Sequence, residues 1–145
     1  MSYRFTVRID LGEVSDVTGA DGTTGRVTPV TGGSCSGQLT GRVLPAGANW
    51  SRRIGGTARL DARHLIDSDT HGIIEVRTSG CYRLDEQELE GAETPDGLER
   101  PGRYFRVTSE FDSADENLAW LTENLFIGRA ESIEGGIAIH YFSVG

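Results

Sequence analysis

Two carboxylates and three guanidinium groups fall at alternate positions on two neighbouring stretches: Arg59, Asp61 and Arg63, then Glu75 and Arg77. If these stretches pair as strands, all five side chains share one face. Two arrangements follow. In one, the face is the outside of a sheet, and the charges form a ladder of cross-strand ion pairs over an apolar underside of Ala58, Leu60, Ala62, Ile74 and Val76. In the other, the charged face lines an interior. There Asp61 or Glu75, desolvated or pressed against a second carboxylate, acts as general acid or base. Arg63 or Arg77 beside it then holds an enolate or carboxylate oxygen.

A second group is aromatic. Trp50, Trp120, Tyr104 and Phe126 either pack a core and plug an open end, or form a flat apolar wall for an aromatic or polyketide-like guest. Tyr104 adds a phenol that can donate to a carbonyl. Arg106 shares its face with Tyr104 and Glu110. On this reading Asp61 and Glu75 carry protons, Arg77 and Tyr104 stabilise developing negative oxygen, and Trp50, Arg63, Arg106 and Trp120 contact the guest.

Other chemistries lack their residues. No GxSxG nucleophile elbow occurs. Gly32-Gly33 and Gly135-Gly136 are not followed by phosphate-loop residues, so no nucleotide or flavin cofactor is expected. The three histidines, His64, His71 and His140, are scattered, and neither CxxC nor HxxxH appears, so no metal site is expected. Cys35 and Cys81 stand 46 positions apart, unlike a secreted disulfide framework, and read as reduced thiols of a cytoplasmic protein. The start, Met1-Ser2-Tyr3-Arg4-Phe5, has no apolar signal core. No apolar run approaches the about 20 residues of a spanning helix.

The 22 acidic residues outnumber the 14 basic ones, all of them Arg, giving a net charge of −8. Such a surface repels phosphate backbones and anionic membranes. A small organic molecule is the expected partner, with a homo-oligomer also open.

Period-two alternation dominates the elements that must hold these groups. Tyr3, Phe5, Val7, Ile9 and Leu11 alternate with Arg4, Thr6, Arg8 and Asp10. Thr18–Gly25 is turn chemistry, Arg26–Val30 a short strand whose Pro29 suits an edge or a bulge, and Ser34–Leu44 an alternating strand. Pro45–Asn49 reads as a turn into Trp50. Thr57–Ile66 and Ile73–Thr78 read as an antiparallel hairpin. Leu84–Glu90, ending at Gly91, is the one helix expected, and Thr94–Gly102 reads as a loop. Tyr104–Phe111 is a strand, Asp112–Asn117 a polar loop, and Ile137–Val144 a closing strand. The 145 residues suit a single domain over 1–145, with 20 glycines punctuating about eight or nine strands. The fold class is therefore all-β. Closure into an antiparallel barrel hides the edges and leaves room for one small ligand. A two-sheet sandwich is the alternative.

Three ordered stretches also resemble domain-of-unknown-function family 3237. They are Pro29–Gly33 running through Gly37, Gly41 and Leu44 to Asn49-Trp50; Leu60–Arg63 continuing to Gly72, Ile74 and Val76; and Tyr104–Arg106 with Ala119–Leu121 and Leu125–Gly128. The resemblance implies a small closed antiparallel barrel, similar in outline to streptavidin or the lipocalins. It implies no established activity. Two positions depart from the family's pattern: Asn49 stands where Asp is usual before the first Trp, and Thr122 where Asn is often found after the second. The function expected from the residues is a cofactor-free acid–base enzyme of the isomerase, cyclase or lyase type. Its substrate is an apolar or aromatic carbonyl compound. A non-catalytic carrier of a metabolite and a solid-cored structural protein are the other readings.

Overall fold

The computed structural model describes residues 1–83 and 104–145. The alternating stretches form β1 (Ser2–Leu11), β2 (Ser15–Thr18), β3 (Thr24–Gly37), β4 (Gly41–Ile54), β5 (Thr57–Ser68) and β6 (Gly72–Arg83). After the undescribed residues come β7 (Phe105–Asp112), a 3-10 turn (Glu116–Leu118), α1 (Ala119–Thr122), β8 (Leu125–Ile133) and β9 (Gly136–Val144). All strand pairs are antiparallel, in the order β1-β9-β8-β7-β6-β5-β4-β3-β2. β1 also pairs with β3, Val7 opposite Cys35, which closes eight strands into a barrel. β2 pairs with the first part of β3 and stays outside the ring. Closure leaves no open edge among the eight, which is why so many short-turned strands fold as one body.

One side of each strand turns inward. Phe5, Val7 and Ile9 of β1, Leu60, Ala62, His64 and Ile66 of β5, and Ile137, Ile139 and Tyr141 of β9 are all buried. Phe5, Phe111, Phe126 and Tyr141 meet with ring centroids 5.1–5.9 Å apart. Below them Leu118 and Leu121 are fully buried, so the helical segment stoppers this end of the barrel. Asp115 fixes it there: its carboxylate accepts from the Asn117 N–H at 2.8 Å and lies 2.8 Å from His71 Nδ1 on the β5–β6 turn.

Three local expectations are corrected. Ser34–Leu44 is not one strand, because Gln38–Thr40 turns the chain between β3 and β4. Pro45–Asn49 is not a turn. It lies inside β4, where a register shift between Val43 and Gly47 absorbs the irregular residues. Gly47 makes this possible: its φ is +90°, and a Cβ there would stand 2.0 Å from the Arg63 carbonyl oxygen. The third is the helical segment at 116–122, which begins inside Asp112–Asn117, expected to be a polar loop. The expected helix Leu84–Glu90 and loop Thr94–Gly102 lie outside the described residues.

Candidate functional site

The charged parity faces out. Asp61, Arg63 and Arg77 are exposed and Glu75 is half-buried, on the outer wall of β5 and β6. Glu75 Oε1 receives Arg77 Nε at 3.1 Å and stands 3.4 Å from Arg63. This is the cross-strand ion-pair ladder, and the condition for Asp61 and Glu75 to act on a guest inside, a charged lumen, is not met. The reason is burial: the other parity of β5 carries Ala58, Leu60 and Ala62, and desolvating five charges to turn it outward would cost far more than it gained. Trp50 is 57% exposed and sits beside Asp61 across β4 and β5, on the outside. Tyr104 is at the surface with the Arg83 and Arg106 guanidinium groups over its ring at 4.3 and 5.2 Å. Trp120 is half-buried and packs edge-on against Phe5 and Phe126, as part of the stopper. The structure thus joins Arg63, Glu75 and Arg77 in one cluster and Tyr104 and Arg106 in another. It does not gather the eight residues round one cavity.

Two concavities stand out. A groove of about 430 Å³ lies at the stoppered end, against Thr122–Leu125. Its rim includes Glu75, Glu110, Asp112 and Glu123 with one guanidinium, Arg77, so it is an open, acidic surface. The second, of about 350 Å³, is the opposite mouth of the barrel. Leu11, Leu60, Tyr82, Phe105 and Ile137 give it an apolar wall, Thr28, Asn49, Ser51 and Ser132 add a few polar groups, and Arg26 adds one guanidinium. That mixture is the usual composition of a small-molecule pocket.

The polar groups of the interior divide sharply. Thr78 Oγ1, Ser109 Oγ and the Tyr141 hydroxyl form a buried chain with 2.7 Å at each link. The Cys35 thiol donates to the Leu39 carbonyl at 3.3 Å. Burial pushes the Tyr141 phenol and the Cys35 thiol both up to about 12, so both keep their protons at neutral pH. By contrast Asn49 Oδ1, Ser132 Oγ and both ring nitrogens of His64 are buried without a hydrogen-bond partner among the described residues. Each such group costs about 1–3 kcal/mol. Asn49 and Ser132 both line the mouth. They stand on β4 and β8, four strands apart either way round the eight-stranded ring, and so face one another across the lumen.

His64 lies deeper. It is 1% exposed, and burial lowers its pKa to about 4, which keeps the imidazole neutral. Asn49 pairs with Ala62, two residues before His64 on the same inner face. Asn49, Ser132 and His64 were absent from the residues expected at the site. The available signal was polarity on the apolar parity: His64 alternates with Leu60, Ala62 and Ile66.

Comparison with known proteins agrees with this barrel. A protein from Rhodopseudomonas palustris called UPF0311 protein is 29% identical over 131 residues, covering 88% of this chain and 85% of that one. A Bradyrhizobium diazoefficiens protein of the same designation is 28% identical over equal shares. Among solved structures, a conserved protein of unknown function from R. palustris matches with a TM-score of 0.86 at 26% identity, over 99% of this chain and 96% of that one. A β-barrel-like protein from Acinetobacter baumannii gives 0.82 at 25%, over 99% and 94%. An enzyme from Penicillium herquei gives 0.72 at 22%, over 99% and 92%, a likeness of fold. The model of the protein family of unknown function DUF3237 matches residues 1–144, and the chain belongs to that family.

Proposed function

We propose that this barrel binds a small, largely apolar carbonyl compound in its mouth and works on it as a cofactor-free acid–base enzyme of the isomerase, cyclase or lyase type. One observation carries the binding half: among the described residues Asn49 Oδ1 and Ser132 Oγ are buried without partners in a pocket whose wall is mainly apolar, with Leu11, Leu60, Tyr82, Phe105 and Ile137 beside Arg26, Thr28 and Ser51. A folded protein keeps such groups unsatisfied at a cost, and a guest that pairs with them recovers it. The apolar wall sets the guest's class, and the facing polar oxygens orient it. For the catalytic half, the Ser132 hydroxyl stands unpartnered beside apolar residues of the mouth, where donation to a developing enolate oxygen is worth more than in water. The Penicillium herquei barrel, an enzyme of the same overall shape, supports the idea that this architecture carries catalysis. The Asp61 and Glu75 carboxylates, on the outer wall, have no place in this reading.

The test of reaction type is deuterium uptake. A panel of aryl ketones is incubated with the protein in deuterium oxide, and exchange at the carbon beside the carbonyl is followed by mass spectrometry. Exchange above the buffer rate, lost in Asn49→Leu, is expected. Saturable binding with no exchange in any ketone identifies a carrier instead.

A further inference from the structure

The outer wall of the barrel is not uniform. Over β5 and β6 it carries the ion pairs of Arg63, Glu75 and Arg77. Over β8, β9 and the start of β1 it is apolar. Leu125 pairs with Val144 across β8 and β9, Ile127 with Phe142 is the next pair on the same outer parity, and Phe142 pairs in turn with Tyr3. Leu125 is 75% exposed, Tyr3 52% and Val144 40%, while Ile127 and Phe142 are half-buried. The register shift in β1 puts Tyr3 here: its ring stands edge-on to Phe142 at 5.7 Å, and its hydroxyl lies 2.7 Å from Thr6 Oγ1. Contiguous exposed apolar surface of this kind marks an interaction site.

Charge brackets this patch in a fixed order. Along β7, Arg106 is followed on the outer parity by Thr108, Glu110 and Asp112. Along β8 in reverse, Arg129 is followed by Ile127 and Leu125, with Glu123 just beyond. Arg106 is the cross-strand partner of Arg129, and Thr108 of Ile127. One end of the patch is therefore basic and the other, roughly 20 Å away at about 3.3 Å per residue, is acidic. The acidic end is concave, since Glu110, Asp112, Glu123 and Leu125 line the groove at the stoppered end. Among the described residues Arg129, Glu110, Asp112 and Glu123 make no ion pair. Arg77, opposite Glu110, bonds Glu75 instead, and Glu131 beyond Arg129 is held by His140.

We infer that this face is a twofold interface between two copies of the chain. A twofold axis lying in the interface, across the strands and between the levels of Ile127 and Leu125, sets the basic end of each copy on the acidic end of the other. Arg129 then stands opposite the partner's Glu123, and Arg106 opposite the partner's Asp112. In the centre Ile127 meets the partner's Leu125, and Phe142 the partner's Val144. One patch supplies both sides of every contact, as a twofold interface requires. A chain of net charge −8 repels its own copy at a distance, so a stable pair needs this local attraction. The charged ends fix the direction of docking, and the apolar centre supplies the affinity. None of these residues lines the mouth, so the interface stands or falls separately from ligand binding there.

Sedimentation velocity of the full chain across a dilution series tests the interface. At about 100 μM the wild type should sediment at twice its 15.7 kDa. Arg129→Glu sets carboxylate against carboxylate, and Glu123→Arg sets guanidinium against guanidinium. Each alone should weaken the pair at least about tenfold. Mixed in equal amounts, the two variants should form a heterodimer within about threefold of the wild-type affinity, because every contact again joins opposite charges. Leu125→Ser, at the apolar centre, should weaken the pair about tenfold. All three positions are exposed, and circular dichroism checks that each variant folds. A wild-type monomer at about 100 μM overturns the inference. A dimer that none of the three variants weakens lies on another face and overturns it too. So does a mixture that associates no more tightly than its two components, since the basic and acidic ends then do not meet.

Discussion

Replacing His64 by leucine should change how stability depends on pH in a calculable way. In the native barrel the imidazole is 1% exposed and unpaired, and desolvation holds its pKa at about 4. In the unfolded chain an ordinary histidine titrates near 6.5. As pH falls from about 6.5 to about 4, the unfolded chain takes up this proton and the native one does not. Stability is therefore lost across that window and is fully present only above it. The difference of roughly 2.5 pKa units corresponds to about 3 kcal/mol at the acid end. Carboxylates titrate too, but equally in both proteins, so they cancel in the comparison. Leucine also removes two unpaired nitrogens, so at about pH 7.5 the variant should be at least as stable as the wild type. Equilibrium urea unfolding at steps of pH between about 7.5 and 4, read by far-ultraviolet circular dichroism, measures both effects. The gap between the two curves should open by about 3 kcal/mol in favour of leucine as the pH falls. Parallel curves would show that His64 is solvated or paired in the native state, and the interior polarity described above would need redrawing.

Further outcomes follow from the same geometry. Ser109→Ala breaks both 2.7 Å links of the interior chain and strands Thr78 and Tyr141, so it should cost about 2–4 kcal/mol in urea unfolding. Tyr141→Phe, which leaves Ser109 paired with Thr78, should cost about 1 kcal/mol. Gly47→Ala should destabilise by about 2–4 kcal/mol, because φ is +90° and the new Cβ meets the Arg63 carbonyl; a thermal melt unchanged from wild type would contradict the bulge. Asp115 is held below the ordinary carboxylate range chiefly by the Asn117 N–H and then by His71. Its contribution is present above about pH 4 and lost as the pH falls further, so Asp115→Ala should loosen the stopper at neutral pH, seen as faster amide exchange at Leu118 and Leu121. Finally, Asp61→Asn and Glu75→Gln should leave aryl ketone affinity at the mouth within about twofold, since both carboxylates stand on the outer wall.

Much of the barrel is legible in the sequence because alternation survives wherever one face is wet and the other dry. β5 keeps strict parity from end to end, and β1 keeps it from Phe5 onward, a register shift turning Tyr3 out from the face expected for it, so their boundaries read almost as they fold. The β3–β4 hairpin does not. Leu39 sits in the turn yet is buried, so Cys35, Gly37, Leu39, Gly41 and Val43 continue one apolar parity straight through a reversal of the chain. Pro45 and Gly47 carry turn chemistry, but a bulge in a long curved strand uses the same residues. The direction of the charged parity required knowing which neighbours compete for the interior. Only the closed ring shows that Ala58, Leu60 and Ala62 win it.

The site is less legible than the fold, for a physical reason. A pocket at a barrel mouth draws single residues from many strands: Thr28 from β3, Asn49 from β4, Leu60 from β5, Phe105 from β7, Ser132 from β8. No spacing in the chain links them. Clusters close in sequence, such as Arg59–Arg63 with Glu75 and Arg77, are conspicuous because hairpins bring them together, and hairpins display charge on their solvent side. The departures worth noting in such a chain are isolated polar residues on apolar parity. Asn49, His64 and Ser132 are of this kind, and they are the side chains whose buried atoms lack partners among the described residues.

The claim that matters most is that the mouth receives the guest. Titrating 1-acetonaphthone into the uniformly labelled protein and following backbone amide shifts tests it directly. Saturable changes centred on Asn49, Ser51, Leu60, Tyr82, Phe105, Ser132 and Ile137 are the predicted result. Changes centred instead on Trp50, Asp61, Glu75 and Arg77 along the outer wall, or no saturable change at all, would contradict it.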